Sequence, residues 1–111
     1  MRYTLMVCAE EGINEVGESE LLHAFGAFED RMKARGVLVG TNRLRPTSTA
    51  TRVKVRNGDL VIVDGPFAET NEQIAGFYVV ECTDLDDAIG VASLIPAAAF
   101  GTIEVRPNWE L

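Results

Sequence analysis

The chain has 111 residues, 47% of them hydrophobic, and a formal net charge of −7. That length suits one domain, residues 1–111, able to bury roughly two thirds of the surface its unfolded chain exposes, and the apolar content excludes a disordered segment. The acidic balance excludes a nucleic-acid or anionic-membrane surface, which would need clustered positive charge, and no apolar run approaches the roughly 18 residues of a bilayer span.

Tyr3 to Cys8 is apolar on both alternating sides apart from Thr4, and reads as a first strand. One basic residue and a short apolar stretch precede Glu10-Glu11, with no small-residue cleavage site, so the segment is not read as a signal peptide and a cytoplasmic location is expected. Ala9 to Gly17 reads as a loop. Ser19 is a candidate helix cap, and Leu21, Phe25, Phe28 and Met32 then recur at helical period until Gly36 stops the helix. His23 falls almost opposite that stripe, on the solvent side.

Val37 to Leu44 is the second strand, ending before Pro46, and a polar Thr47-Ser48-Thr49 stretch follows. Arg52 to Arg56 alternates cleanly, as a half-exposed strand should. Asn57-Gly58 is a strong hairpin signal joining it to the apolar run Leu60 to Val63. Gly65 and Pro66 then end that strand, leaving Asp64 and Phe67 at its carboxyl end. Gly76 to Cys82 reads as another buried strand. Thr83 or Asp84 caps a second helix, with Leu85, Ala88, Ile89 and Ala92 as its inner stripe and Pro96 at its end; Gly101 to Arg106 is the last strand. The order specifies an α+β, ferredoxin-like βαββαβ sandwich with an inserted β-hairpin.

Two helices cover only one face of a four-stranded sheet. The first strand and the one from Phe77 to Val80 are nevertheless apolar on both sides, so a homodimer is expected to cover the second face. Cys8 and Cys82 sit in apolar runs as structural thiols, and with one distant histidine they offer no metal-ligand spacing.

The strand-end bend carries the most chemistry. Asp64 either transfers protons, its pKa tuned by burial and a nearby arginine, or bonds its own backbone to shape the turn. Arg52 and Arg106 are the candidate grips for an anionic group, although Arg106 can equally pair with Glu104 or Glu72. Glu69 and Glu72 flank the bend. Phe67 reads more readily as a core plug than as a platform for a ligand ring. Tyr3 and Tyr78 either aim a hydroxyl into a pocket or pack against a partner chain. No Ser–His–acid arrangement is legible.

The run Asp64-Gly65-Pro66-Phe67-Ala68-Glu69-Thr70, with Glu72 to Phe77, Asp84 to Ala88, Glu104 to Pro107 and Thr49 to Val53, resembles the signature of the DGPF family within the wider YCII-related group. Asn71 stands where that family usually has lysine, and Ala75 where it has the first of two glycines. The resemblance implies a dimeric α+β barrel, a superfamily that includes cofactor-free small-molecule enzymes. It also implies an acid/base residue, for which Asp64 is the match, while the histidine of the proposed His–Asp pair has no equivalent on the right face of the first helix. A link to bacterial sigma factors is a further implication. Two functions are therefore expected to compete. One is a cofactor-free enzyme or binder acting on an organic acid or oxidised aromatic, in a dimer cleft of Asp64, Arg52, Phe67, Glu72, Tyr78 and Arg106. The other is a non-catalytic dimeric accessory protein.

Overall fold

A computed structural model describes residues 1–12 and 18–110. The elements are β1 (Arg2–Ala9), α1 (Glu18–Ala34), β2 (Leu38–Arg43), β3 (Thr51–Arg56), β4 (Asp59–Asp64), β5 (Gln73–Glu81), α2 (Leu85–Ser93) and β6 (Thr102–Pro107). Short 3₁₀ turns lie at Thr47–Thr49 and Pro96–Ala99. Four strands form an antiparallel sheet in the order β2-β5-β1-β6, and β3 and β4 form a separate two-stranded ribbon. This is the ferredoxin-like α+β arrangement with its hairpin insert; the segment from 13 to 17, within the expected loop, lies outside the described residues.

Period-two alternation decides which side chains enter the core. Tyr3, Leu5 and Val7 on β1, and Tyr78 and Val80 on β5, face the helices and are buried. Ile103 and Val105 of β6 lie opposite Val7 and Leu5 and pack on the same cluster. From α1 come Phe28 and Met32, with Phe25 at the margin, as the stripe requires. Ser19 lies inside the first turn of α1 rather than capping it, because the helix is already under way at Glu18. Gly36 ends α1 with a φ of +70°, a left-handed conformation that glycine adopts without strain.

The inner face of α2 is rotated from the expected one. Ala88, Val91 and Ala92 are buried with Ile95, whereas Leu85 and Ile89 are exposed. Small residues let α2 sit close to the sheet, so the alanine side wins over the bulkier one. Asp84 caps this helix, accepting from the Asp87 amide at 2.8 Å, and Asp87 accepts from the Thr83 amide at 2.9 Å. That backbone bond from Thr83 is the leading reason the Asp87 carboxyl lies below the usual aspartate range. A depressed folded-state pKa stabilises above the unfolded value and is lost as pH falls through the folded one. The acid-side loss of stability should therefore be shallower in Asp87→Asn than in the native chain, as thermal melts across the acidic range would reveal. Asp84→Ala should cost about 1 kcal/mol at neutral pH.

The hairpin departs from the half-exposed reading of β3. Asn57 (φ 53°) and Gly58 (φ 80°) make the tight turn between β3 and β4, as their dipeptide signals. Val53 pairs with Ile62 and Val55 with Leu60 across the ribbon, so all four share one face. That face is 60–64% exposed, with none of the described residues laid over it.

Candidate functional site

A cavity of about 630 Å³ opens between α1 and the sheet, within the size range of small-molecule sites. Its walls are mostly apolar: Val7, Leu21, Leu22, Phe25, Ala97 and Phe100 all contribute. Two features of the chain hollow it out. Gly26 offers no side chain on the helix side, and a Cβ placed there would meet nothing within 4 Å. Opposite it, Ala75 and Gly76 keep the β5 wall low, and Gly76 must stay small, because a Cβ would come within 2.8 Å of the Asn42 carbonyl.

Into this apolar space the fold sets a polar pair. Tyr78 Oη donates to Glu29 Oε2 at 3.0 Å. The tyrosine ring is held edge-on to Phe28, with centroids 5.1 Å apart, so its hydroxyl reaches past the core to the cavity wall. Glu29 is half-buried, one residue beyond Phe28 on α1, and Tyr78 is its only protein donor among the described residues. Thr41 stands beside them, its hydroxyl donating to the Phe77 carbonyl at 2.9 Å. Arg43 lies with its guanidinium 5.5 Å from the Phe25 ring centroid.

Burial, and then the hydrogen bond to Glu29, push the Tyr78 hydroxyl far above the usual phenol range. Burial likewise raises Tyr3. Both therefore keep their protons, and Glu29 rather than Tyr78 is the group able to accept one. These are the chain's two tyrosines. A group raised in the folded state stabilises at pH below its unfolded value, and that contribution is lost as pH rises through the folded one. Ultraviolet titration should accordingly show both tyrosines ionising above pH ~10, where exposed tyrosine ionises, with Tyr78 displaced strongly. A phenolate signal from the folded chain near the ordinary value would contradict the pairing.

The residues singled out from sequence are distributed differently. Tyr78 and Tyr3 face the helix layer of their own chain, not a partner. Asp64 is exposed at the end of β4, opposite Thr51, and does not line the large cavity. Phe67 is 93% exposed, so it is neither core plug nor ligand platform within one chain. Gly65 and Pro66 instead border a shallow polar hollow with Glu69, Thr70 and Thr47. Arg106 pairs with Glu104 at 2.7 Å, and both are largely exposed. Glu72 accepts from the Thr102 hydroxyl at 3.4 Å. Arg52 sits opposite Val63 on the hairpin, its Nε buried without a hydrogen-bond partner among the described residues. One chain therefore does not assemble the expected cleft: Tyr78 lies in the helix–sheet cavity, and Asp64, Arg52 and Phe67 belong to the hairpin and the bend. His23 is exposed on α1, as its helical position requires.

Cys8 and Cys82 are free thiols, each raised in pKa chiefly by burial, which suits packing rather than nucleophilic attack. Among the described residues no group of three His, Cys, Asp or Glu side chains is placed to hold a metal ion. Glu29 escaped the sequence reading because it adjoins the core stripe instead of standing on it. The legible signal was a second helical line, Glu18, Leu22, Phe25 and Glu29 at offsets of 0, 4, 7 and 11, which puts carboxylates at both ends of an apolar strip.

The chain belongs to the YCII-related domain family, whose model matches residues 1–111. An uncharacterised protein of Rhizobium meliloti (strain 1021) is 32% identical over 113 residues, covering 96% of this chain and 91% of that protein.

Proposed function

We infer that the protein handles a small, compact organic molecule in the helix–sheet cavity, as a cofactor-free acid/base enzyme. The carrying observation is the Tyr78–Glu29 pair, a proton-holding hydroxyl 3.0 Å from a carboxylate on the wall of a mostly apolar hollow. Glu29 is the base, and Tyr78 orients it and keeps one oxygen engaged. The apolar walls take an aromatic or similarly planar body. An organic acid would have Arg43 as its counter-ion in this cavity.

This reading moves the proton-transfer role from Asp64, expected from sequence, to Glu29. A direct test is deuterium uptake from D₂O into the enolisable positions of phenylacetone, a neutral aromatic carbon acid, followed by NMR. Native protein and Asp64→Asn should accelerate exchange alike. Glu29→Gln, which still accepts from Tyr78, should lose about a hundredfold or more of that acceleration. Equal exchange by the native chain and Glu29→Gln would remove Glu29 as the base.

We further propose that the working unit is a homodimer. The support is the bare face of Val53, Val55, Leu60 and Ile62, on a ribbon that would be marginal standing alone. The sheet face turned from the helices adds half-covered Met6, Phe77 and Val79 and exposed Ile74. Charge favours a second copy as the cover. Residues 51–64 carry three bases and two acids, a net +1, against seven bases and fifteen acids, a net −8, over the rest of the chain. A hairpin of one sign docking on a body of the other is steered toward contact.

A further inference from the structure

We propose that the natural ligand of the helix–sheet cavity is a protonated amine with an aromatic or aliphatic body, its ammonium on Glu29. The proposal rests on the reading of that cavity as a small-molecule site and adds the charge of what enters it.

Three features carry it. Glu29 spends only Oε2 on Tyr78, which leaves the other oxygen free to accept from a ligand donor. An ammonium brings up to three N–H donors and so fits a half-used carboxylate at the inner end of an apolar hollow. The helix line then continues outward through Phe25 and Leu22 to Glu18, about 16 Å along the axis at 1.5 Å per residue. A ligand body therefore lies along aromatic and aliphatic surface with a carboxylate beyond each end.

The balance of lining charge points the same way. Among the described residues, Glu10, Glu11, Glu18 and Glu29 line the cavity against one cation, Arg43. Glu11 is partly engaged, accepting from the Thr47 amide at 2.8 Å, yet its charge still adds to the field at the mouth. Arg43 already lies over the Phe25 ring, so that aromatic face holds a cation without any ligand present. An anion would meet a lining in which four carboxylates outnumber Arg43.

The test uses three probes of matched shape: 2-phenylethylamine, 2-phenylethanol and 3-phenylpropionate. Each is titrated into the native chain at neutral pH by calorimetry, with NMR shifts of Leu22, Phe25 and Tyr78 as the site readout. The amine should bind at least tenfold more tightly than the alcohol, and the acid weakest of the three. Glu29→Gln should erase the advantage of the amine and change the alcohol's affinity much less, because the glutamine carbonyl still accepts from a hydroxyl. Arg43→Gln, which leaves Glu29 intact, should preserve or sharpen the preference for the amine. Should the acid bind best, or the amine and alcohol bind alike, the charge assignment is overturned and the cavity stands as a small-molecule site. Should none of the three shift the cavity residues, both readings fall together.

Discussion

Combining Val53→Lys with Ile62→Glu should turn a dimer into a monomer, weakening self-association by about a hundredfold or more. The two residues are cross-strand partners on the exposed face of the hairpin. Opposite charges at such a pair support the ribbon's own register, so the hairpin itself should survive the change. The same charges at the centre of an apolar interface lose their water. Burying charged groups there costs several kcal/mol, and each ~1.4 kcal/mol is a factor of ten in the dissociation constant. Sedimentation velocity over a wide concentration range reads the outcome, with circular dichroism to show that the strands persist. A native chain that sediments as a monomer at every concentration would remove the dimer. The exposed face would then be left for an unlike protein.

Leu5→Ala should be the most damaging single truncation in the sheet, at about 2–5 kcal/mol. Leu5 is fully buried in β1, an inner strand, with Tyr78 opposite it on β5 and Val105 on β6. Strands on both sides fix the backbone, so neighbours cannot close over the space left behind. Domains of this size have a total stability of about 5–15 kcal/mol, which makes the change a large share. Urea denaturation should show a lower midpoint with little change in slope. A loss under about 1 kcal/mol would mean the site collapses, contrary to close packing between the helices and the sheet.

Much of the architecture was legible because it is written in short-range pattern. Asn57-Gly58 requires a tight turn, and the alternating Arg52 to Arg56 before it and the apolar run Leu60 to Val63 after it supply its strands. The α1 stripe names Phe28 and Met32 directly, whereas β1 is apolar on both sides, so its pattern does not show that Tyr3, Leu5 and Val7 are the buried set. The α2 face is legible only in part, because Leu85, Ala88, Ile89 and Ala92 share one helical spacing, and spacing alone does not show that Val91 on the other flank is buried in place of Leu85 and Ile89. Phe67 was misread because hydrophobicity alone suggests burial, whereas the Gly65-Pro66 bend carries it away from every element of its own chain. The site was the least visible part. Glu29 and Tyr78 are 49 residues apart, and only the packing of α1 on β5 brings them together. Attention went instead to Asp64, whose turn chemistry is conspicuous locally while its surroundings are open to solvent.

The most direct test of the central assignment is a chemical-shift map of the native chain against a library of small aromatic amines, alcohols and acids. The account predicts that responses gather at Leu22, Phe25, Glu29 and Tyr78, and that filling the hollow with Gly26→Leu abolishes them in a folded protein. Responses gathered at the Gly65–Asn71 hollow or along the hairpin, and indifferent to Gly26→Leu, would contradict it.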